Sequence, residues 1–215
     1  MDSYADYLAV SEMIKQFALS AFVKTQEKVQ TEVSYKFPVL ILINPGSLLY
    51  KRIFKDEKCS EKHHFKENSY RYFLRPGYHN FLKTLCDHPR ARIGFYSSMM
   101  LDNCMPVIIN ILEDADLIEE LEDTEVFYAD HCSEMTKHPQ MRKLADKAYD
   151  KYRDLDKVWE TDFCKNLMFG AENTLCIDAH LTEVQLCRLN SLVPFEYTLE
   201  DVEAKDVLTQ CDEFT

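Results

Sequence analysis

Between two prolines, Pro38 and Pro45, the chain carries an unbroken apolar run, Val39-Leu40-Ile41-Leu42-Ile43. Five residues is the length of a strand. Continuous rather than alternating apolarity predicts a central strand covered on both faces. The run empties into Asn44-Pro45-Gly46-Ser47 and then continues as Leu48-Leu49-Tyr50. An α/β enzyme often carries its reacting group at such a turn, yet this turn holds no carboxylate.

Further strand-like pieces follow at "YRYFL" (70–74), "ARIGFYSS" (91–98), "VFYAD" (126–130) and "NTLCIDAH" (173–180). Helical patterns lie between them, at "YHNFLKTLCDHP" (78–89) and "MMLDNCMPVIINILEDADL" (99–117). Pro106 is expected in the first turn of the second helix, where its missing N–H costs nothing. Lys55–Ser69 reads as a polar loop, and residues 133–152 as polar and helical in parts. This alternation predicts an α/β fold with a mostly parallel sheet. Ligands bind such sheets at the carboxyl ends of the strands. The turns after Ile43, Tyr96 and Ile177 are therefore expected to converge on one crevice.

Three segments are expected. Residues 1–35 form an amphipathic helix and linker, with Tyr7, Val10, Ile14, Phe17 and Ala21 recurring at helical spacing. That stripe serves equally to pack on its own domain or to dock a partner. Residues 36–197 form the main domain. Residues 198–215 form an acidic helix or tail that opens as a capping box, Thr198 with Asp201.

The net charge of −12 argues against nucleic acid as a direct partner, since phosphate binding needs clustered Lys and Arg. It fits a protein that meets a basic protein partner. Eight of the thirteen residues from Glu113 to Glu125 are acidic, which suits a solvated helix end or a contact for such a partner. No apolar run reaches the roughly 18 residues of a membrane span. The eight cysteines are scattered, with no CxxC spacing, and no targeting pattern opens the chain. Reduced thiols and a cytoplasmic or nuclear location are expected. Cys59, His63 and His64 have loose ligand character but lack a fourth zinc ligand at a usual spacing. His131 and Cys132 are adjacent, so on an extended segment they face apart and make a poor catalytic dyad.

Taken together, five stretches resemble the RNA-polymerase-II C-terminal-domain phosphatases, the NLI-interacting-factor-like branch of the haloacid dehalogenase superfamily. They are "VLILINPGSLL", "YRYFLRPGYHNFLKTLCDHPRARIGFYSSMM", "VFYADHC", "YRDLDKVWE" and "NTLCIDAH". The resemblance implies a Rossmann-like three-layer sandwich over residues 36–197. The family's first motif is Asp-x-Asp-Gly-Thr-Leu. Setting Gly46 on its glycine puts the nucleophile position at Ile43, the acid/base position at Pro45 and the threonine at Ser47.

Family chemistry uses one Asp to attack phosphorus and a second to protonate the leaving oxygen. Neither Ile43 nor Pro45 can do this, and losing a nucleophile typically costs about 10⁴–10⁶ in rate. Ser97 matches the second-motif hydroxyl, and Arg153 stands where the family has a phosphate-neutralising Lys. Asp178 matches a metal-binding Asp whose usual neighbour is replaced by Ala179. One carboxylate plus the Pro45 carbonyl makes a weak Mg²⁺ site, so no cofactor is expected. Asn44, Ser47, Ser97, Arg153 and Asp178 form a candidate anion pocket. Alternatively, Arg153 pairs with a nearby acid such as Asp150 or Asp154, and Asp178 caps its own turn. The leading expectation is a pseudophosphatase that acts as a protein-binding adaptor or scaffold subunit. Alternatives are a divergent Mg²⁺-dependent Ser/Thr phosphatase using Ser47 or Asn44, and a relative of the mitochondrial presequence-translocase receptor, whose basic ligands an acidic surface would suit.

Overall fold

The computed structural model describes residues 38–46 and 48–203. The amphipathic stripe of residues 3–30, Ser47 and the chain beyond Glu203 lie outside the described residues. In chain order the elements are β1 (Val39–Ile43), β2 (Tyr50–Phe54), β3 (Phe65–Glu67), β4 (Tyr70–Leu74), α1 (Tyr78–Cys86), β5 (Ala91–Tyr96), α2 (Leu101–Asp114) and β6 (Glu125–Phe127). They continue with β7 (Cys132–Glu134), β8 (Lys151–Arg153), α3 (Leu155–Trp159), α4 (Asp162–Leu167), β9 (Thr174–Ile177), β10 (Ser191–Leu192) and α5 (Leu199–Glu203).

The central sheet has the order β10-β9-β1-β5-β6, and every neighbouring pair in it is parallel. The unbroken apolar run is its middle strand, β1. Alternation along the pleat sends Leu40 and Leu42 to one face and Ile43 to the other. On the Ile43 side, Ile93, Phe95 and Ile177 pack against Leu82 of α1 and Val107, Ile108 and Ile111 of α2. On the Leu40 side, Tyr96, Phe127 and Cys176 pack against Leu155 and Val158 of α3 and Cys164 of α4. Helices on both faces of a parallel sheet make the expected three-layer α/β architecture.

Two small antiparallel sheets sit outside the main one, β2-β4-β3 and β7-β8. The first accounts for "YRYFL", which pairs with β2 and β3 rather than joining the parallel sheet. The presumed loop Lys55–Ser69 therefore contains a strand, β3, whose three residues are too few and too polar to signal it. Residues 133–152 hold short 3-10 turns between β7 and β8 instead of regular helix. Pro106 is the sixth residue of α2, in its second turn rather than its first, and so forgoes a bond to the Asp102 carbonyl. The Thr198–Asp201 capping box is present at α5, each residue bonding the other's backbone N–H. Tyr197 and Val202 close a small cluster over Ile53 and Phe73.

Candidate functional site

The carboxyl ends of β9, β1 and β5 lie side by side, with Ile43 in register with Phe95 and Ile177. The turns after these strands do converge. One residue past the aligned ends come Asn44 on β1 and Asp178 on β9, tied together by Asn44 N–H to the Ile177 carbonyl at 2.9 Å. The Asn44 side-chain amide donates to Asp178 Oδ1 at 2.9 Å, and its own Oδ1 accepts from Gly46 N–H at 3.1 Å. Asp178 is fully buried. Its Oδ1 also accepts from His180 N–H at 2.8 Å, which caps the turn after β9.

Arg153 comes from β8 and is 1% exposed. Its Nε donates to Asp178 Oδ2 at 2.8 Å, and its Nη2 lies 2.9 Å from Glu183 Oε2. The guanidinium stacks on the Tyr96 ring, 5.1 Å from its centre, and Nη1 donates to Cys132 Sγ at 3.5 Å. Burial works against its charge, but Asp178 and Glu183 outweigh burial and hold the group protonated. The Tyr96 hydroxyl is held in turn by the His131 carbonyl and the Asp154 N–H, at 2.6 and 2.9 Å.

A cleft of about 210 Å³ opens above this network, lined by Asn44, Gly46, Tyr50, Arg52, Ser97 and Glu183, among others. Ser97 is buried at the end of β5, and its hydroxyl accepts from Met99 N–H at 3.1 Å. Burial pushes the Tyr50 phenol well above its usual range, so it stays a neutral donor. Of the five anion-pocket residues read from the sequence, Asn44, Ser97, Arg153 and Asp178 are brought together, and Ser47 lies outside the described residues. Arg153 does not line the cleft, and its partners are Asp178 and Glu183 rather than Asp150 or Asp154. Sequence reasoning missed Glu183, Tyr96, Tyr50, Arg52 and His180. Only fold-level contact links them, and no spacing signal marks them.

Motif counting and geometry also differ at β1. Ile43, the counted nucleophile position, points into the apolar layer beneath α1 and α2. The side chain that leaves β1 toward Asp178 is Asn44. The Pro45 carbonyl, counted as a surviving metal ligand, accepts instead from Leu49 N–H at 2.9 Å and Tyr50 N–H at 3.3 Å. Mg²⁺ takes about six oxygens in near-octahedral geometry at roughly 2.0–2.1 Å. Here Asp178, Asn44 and Pro45 offer oxygens already engaged by N–H donors, with an arginine against the one buried carboxylate. These residues do not fit the ion. Among the described residues, no group of three or more His, Cys, Asp or Glu is placed to hold a metal. His131 Nδ1 accepts from Tyr128 N–H, while Cys132 faces Arg153, so that pair makes no dyad.

The family model of the NLI interacting factor-like phosphatases matches residues 38–214. The chain belongs to the NLI interacting factor-like phosphatase family. A search of solved structures matches this member to a beryllium-fluoride-bound variant of the fission yeast RNA polymerase II CTD phosphatase Fcp1. That match has 13% identity and a TM-score of 0.44, and covers 86% of this chain and 53% of that one. This chain thus spans about half the length of that structure. No curated protein matches the sequence. No helix among the described residues is long and apolar enough to cross a membrane.

Proposed function

We propose that this NLI interacting factor-like domain is a pseudophosphatase, working as an adaptor or scaffold subunit that binds protein. The observation that carries the reading is the end of β1, where the side chain facing Asp178 is the amide of Asn44. An amide nitrogen engaged as a donor has no free lone pair for phosphorus, and Gly46, two residues on, has no side chain to move a proton. The partner surface fits a basic protein segment. Glu113, Asp116, Glu119, Glu122 and Asp123 are all exposed on the stretch from the end of α2 to β6.

The test is hydrolysis of para-nitrophenyl phosphate with Mg²⁺ by the natural protein and by an Asn44→Asp/Gly46→Asp variant. A Cβ at Gly46 would meet only ordinary contacts, 3.5 Å from Asn44 Oδ1 and 3.6 Å from the Tyr50 hydroxyl. The expected result is a silent natural protein. Metal-dependent turnover by clean natural protein overturns the proposal. Turnover gained by the variant supports it, because the cleft is then competent except for its carboxylates.

A further inference from the structure

We infer that the groove between the β7–β8 hairpin and α3 binds a phosphoryl group through Lys151 and Lys157, at a site separate from the cleft. The inference goes beyond the non-catalytic reading of the cleft and does not rest on it.

The groove holds about 370 Å³, and its lining shares no residue with that of the cleft. Charge sets it apart. The chain carries 37 acidic side chains against 25 lysines and arginines, yet Lys137, Lys151 and Lys157 all line this groove. Two acids line it with them, Asp130 and Glu134. Glu134 is taken up by Lys137 at 2.8 Å. Among the described residues, no ion pair engages Lys151 or Lys157. Two positive charges therefore stand against one exposed carboxylate, Asp130.

Both ammonium groups are drawn to one turn. Lys151, from β8, donates to the Ala129 carbonyl at 2.7 Å. Lys157, from α3, donates to the Cys132 carbonyl at 2.8 Å and the Asp130 carbonyl at 3.4 Å. Ala129 and Asp130 are neighbours, with Cα atoms about 3.8 Å apart, so the two charges are held close together. A lysine that caps the last carbonyls of a 3-10 turn needs no ligand, and either contact alone has that reading. Capping does not account for two. Gathering like charges is unfavourable, and an anion between them reverses the sign. Donors remain for it. Each ammonium has three N–H groups, of which Lys151 spends one on the turn and Lys157 two. His138, in the same lining, accepts from Gln140 N–H through Nδ1 at 3.3 Å, which leaves its proton on Nε2 as a further donor. A phosphate monoester brings nearly two negative charges and three acceptor oxygens at neutral pH, and so matches this set better than a carboxylate with one charge.

The measurement is an NMR titration of the full chain, following the amide shifts of residues 129–133, with inorganic phosphate and with N-acetylphosphoserine amide as probes. The natural protein is expected to show saturable shifts that weaken as salt is raised. Lys151→Gln/Lys157→Gln is expected to lose about tenfold or more in affinity. Lys143→Gln/Lys165→Gln removes the same charge from exposed lysines outside the groove and is expected to change affinity by less than about twofold. Asp130→Asn removes the opposing carboxylate and is expected to bind more tightly, which decides the matter if the groove double variant does not fold. Tighter binding of the phosphoserine probe assigns the site to a phosphorylated protein side chain, and tighter binding of inorganic phosphate to the free ion; either supports the phosphoryl chemistry. Absence of a saturable shift with both probes overturns the inference. So do binding unchanged in Lys151→Gln/Lys157→Gln and an Asp130→Asn protein that gains nothing. Binding lost in Arg52→Gln but kept in the groove double variant puts the anion in the cleft and overturns it as well. Phosphatase turnover by the natural protein would instead strike the proposed function and leave this site standing.

Discussion

Asn44 and Asp178 are 134 residues apart in the chain and joined by one bond, amide to carboxylate, at 2.9 Å. The bond closes the carboxyl edge of the sheet at the point where β1 and β9 lie together. A single-atom exchange, amide to acid, would turn that attraction into repulsion between two carboxylates. The cleft's chemistry therefore hangs on which residue of β1 faces Asp178.

A pair of substitutions separates the two registers. Ile43→Asp places a carboxylate in the apolar layer among Ile93, Phe95 and Ile177, with no partner. Burying an unpaired charge costs several kcal/mol, and this variant is expected to be insoluble or to unfold without a cooperative transition. Asn44→Asp opens onto the cleft and is expected to fold, with a melting temperature lowered by several degrees at neutral pH. Parallel expression and thermal unfolding decide it. A stable Ile43→Asp protein would restore the register obtained by counting from Gly46.

That contrast also marks what the sequence could disclose. Continuous apolarity located β1 as a doubly covered strand, and the pattern after it gave the parallel sheet and the convergence of three turns. Which face a residue meets at a strand's end depends on the pleat, and counting back from Gly46 cannot see the pleat. Arg153 and Asp178 were legible because they fall in recognisable stretches. Glu183 was not, since its role comes from a backbone turn that carries it under β8. Strand β3 escaped for a different reason. Three residues of "FKE" carry too little alternation to stand out from a polar loop.

Gly94 supplies a packing test on the strand beside β1. A Cβ there would lie 3.0 Å from Leu42 Cδ2, 3.2 Å from Phe127 Cε2 and 3.3 Å from the Glu125 carbonyl. The side-chain tips can shift a little, but the carbonyl belongs to the β5–β6 ladder and cannot. Gly94→Ala is expected to cost about 1–3 kcal/mol in urea denaturation, without changing the slope of the transition. A neutral or stabilising effect would mean that β6 is held more loosely than its pairing implies.

His131 gives a pH dependence whose sign can be worked out. Its ring stands edge-on to Phe127 and Tyr128, and its Nδ1 accepts from Tyr128 N–H. Burial pulls its pKa below the ordinary value, Asp130 opposes that shift and Lys157 adds to it. A histidine depressed in the folded state contributes stability above its unfolded value of about 6.5 and loses it as pH falls through the folded value. His131→Asn keeps an acceptor for Tyr128 but cannot titrate. The natural protein's melting temperature is expected to fall more steeply from pH 7.5 to about 5 than the variant's. Parallel curves would place the acid sensitivity elsewhere.

The two carboxylates on Arg153 should differ in weight, and the difference follows from exposure. Asp178 is fully buried, whereas the Glu183 side chain keeps 21% of its surface. Removing the charge of Asp178 leaves a buried guanidinium with one partner, and water cannot reach it from that side. Asp178→Asn is therefore expected to cost about 3–5 kcal/mol. At Glu183→Gln, the buried Asp178 carboxylate still balances the guanidinium, and the backbone bond from Arg153 N–H to the Glu183 carbonyl is untouched. The expected cost is about 1–2 kcal/mol. Chemical denaturation of both variants at one pH gives the ranking. If Glu183→Gln proved the more damaging, Arg153 would be anchored chiefly from the β9 turn, and the bond to Asp178 would be the secondary one.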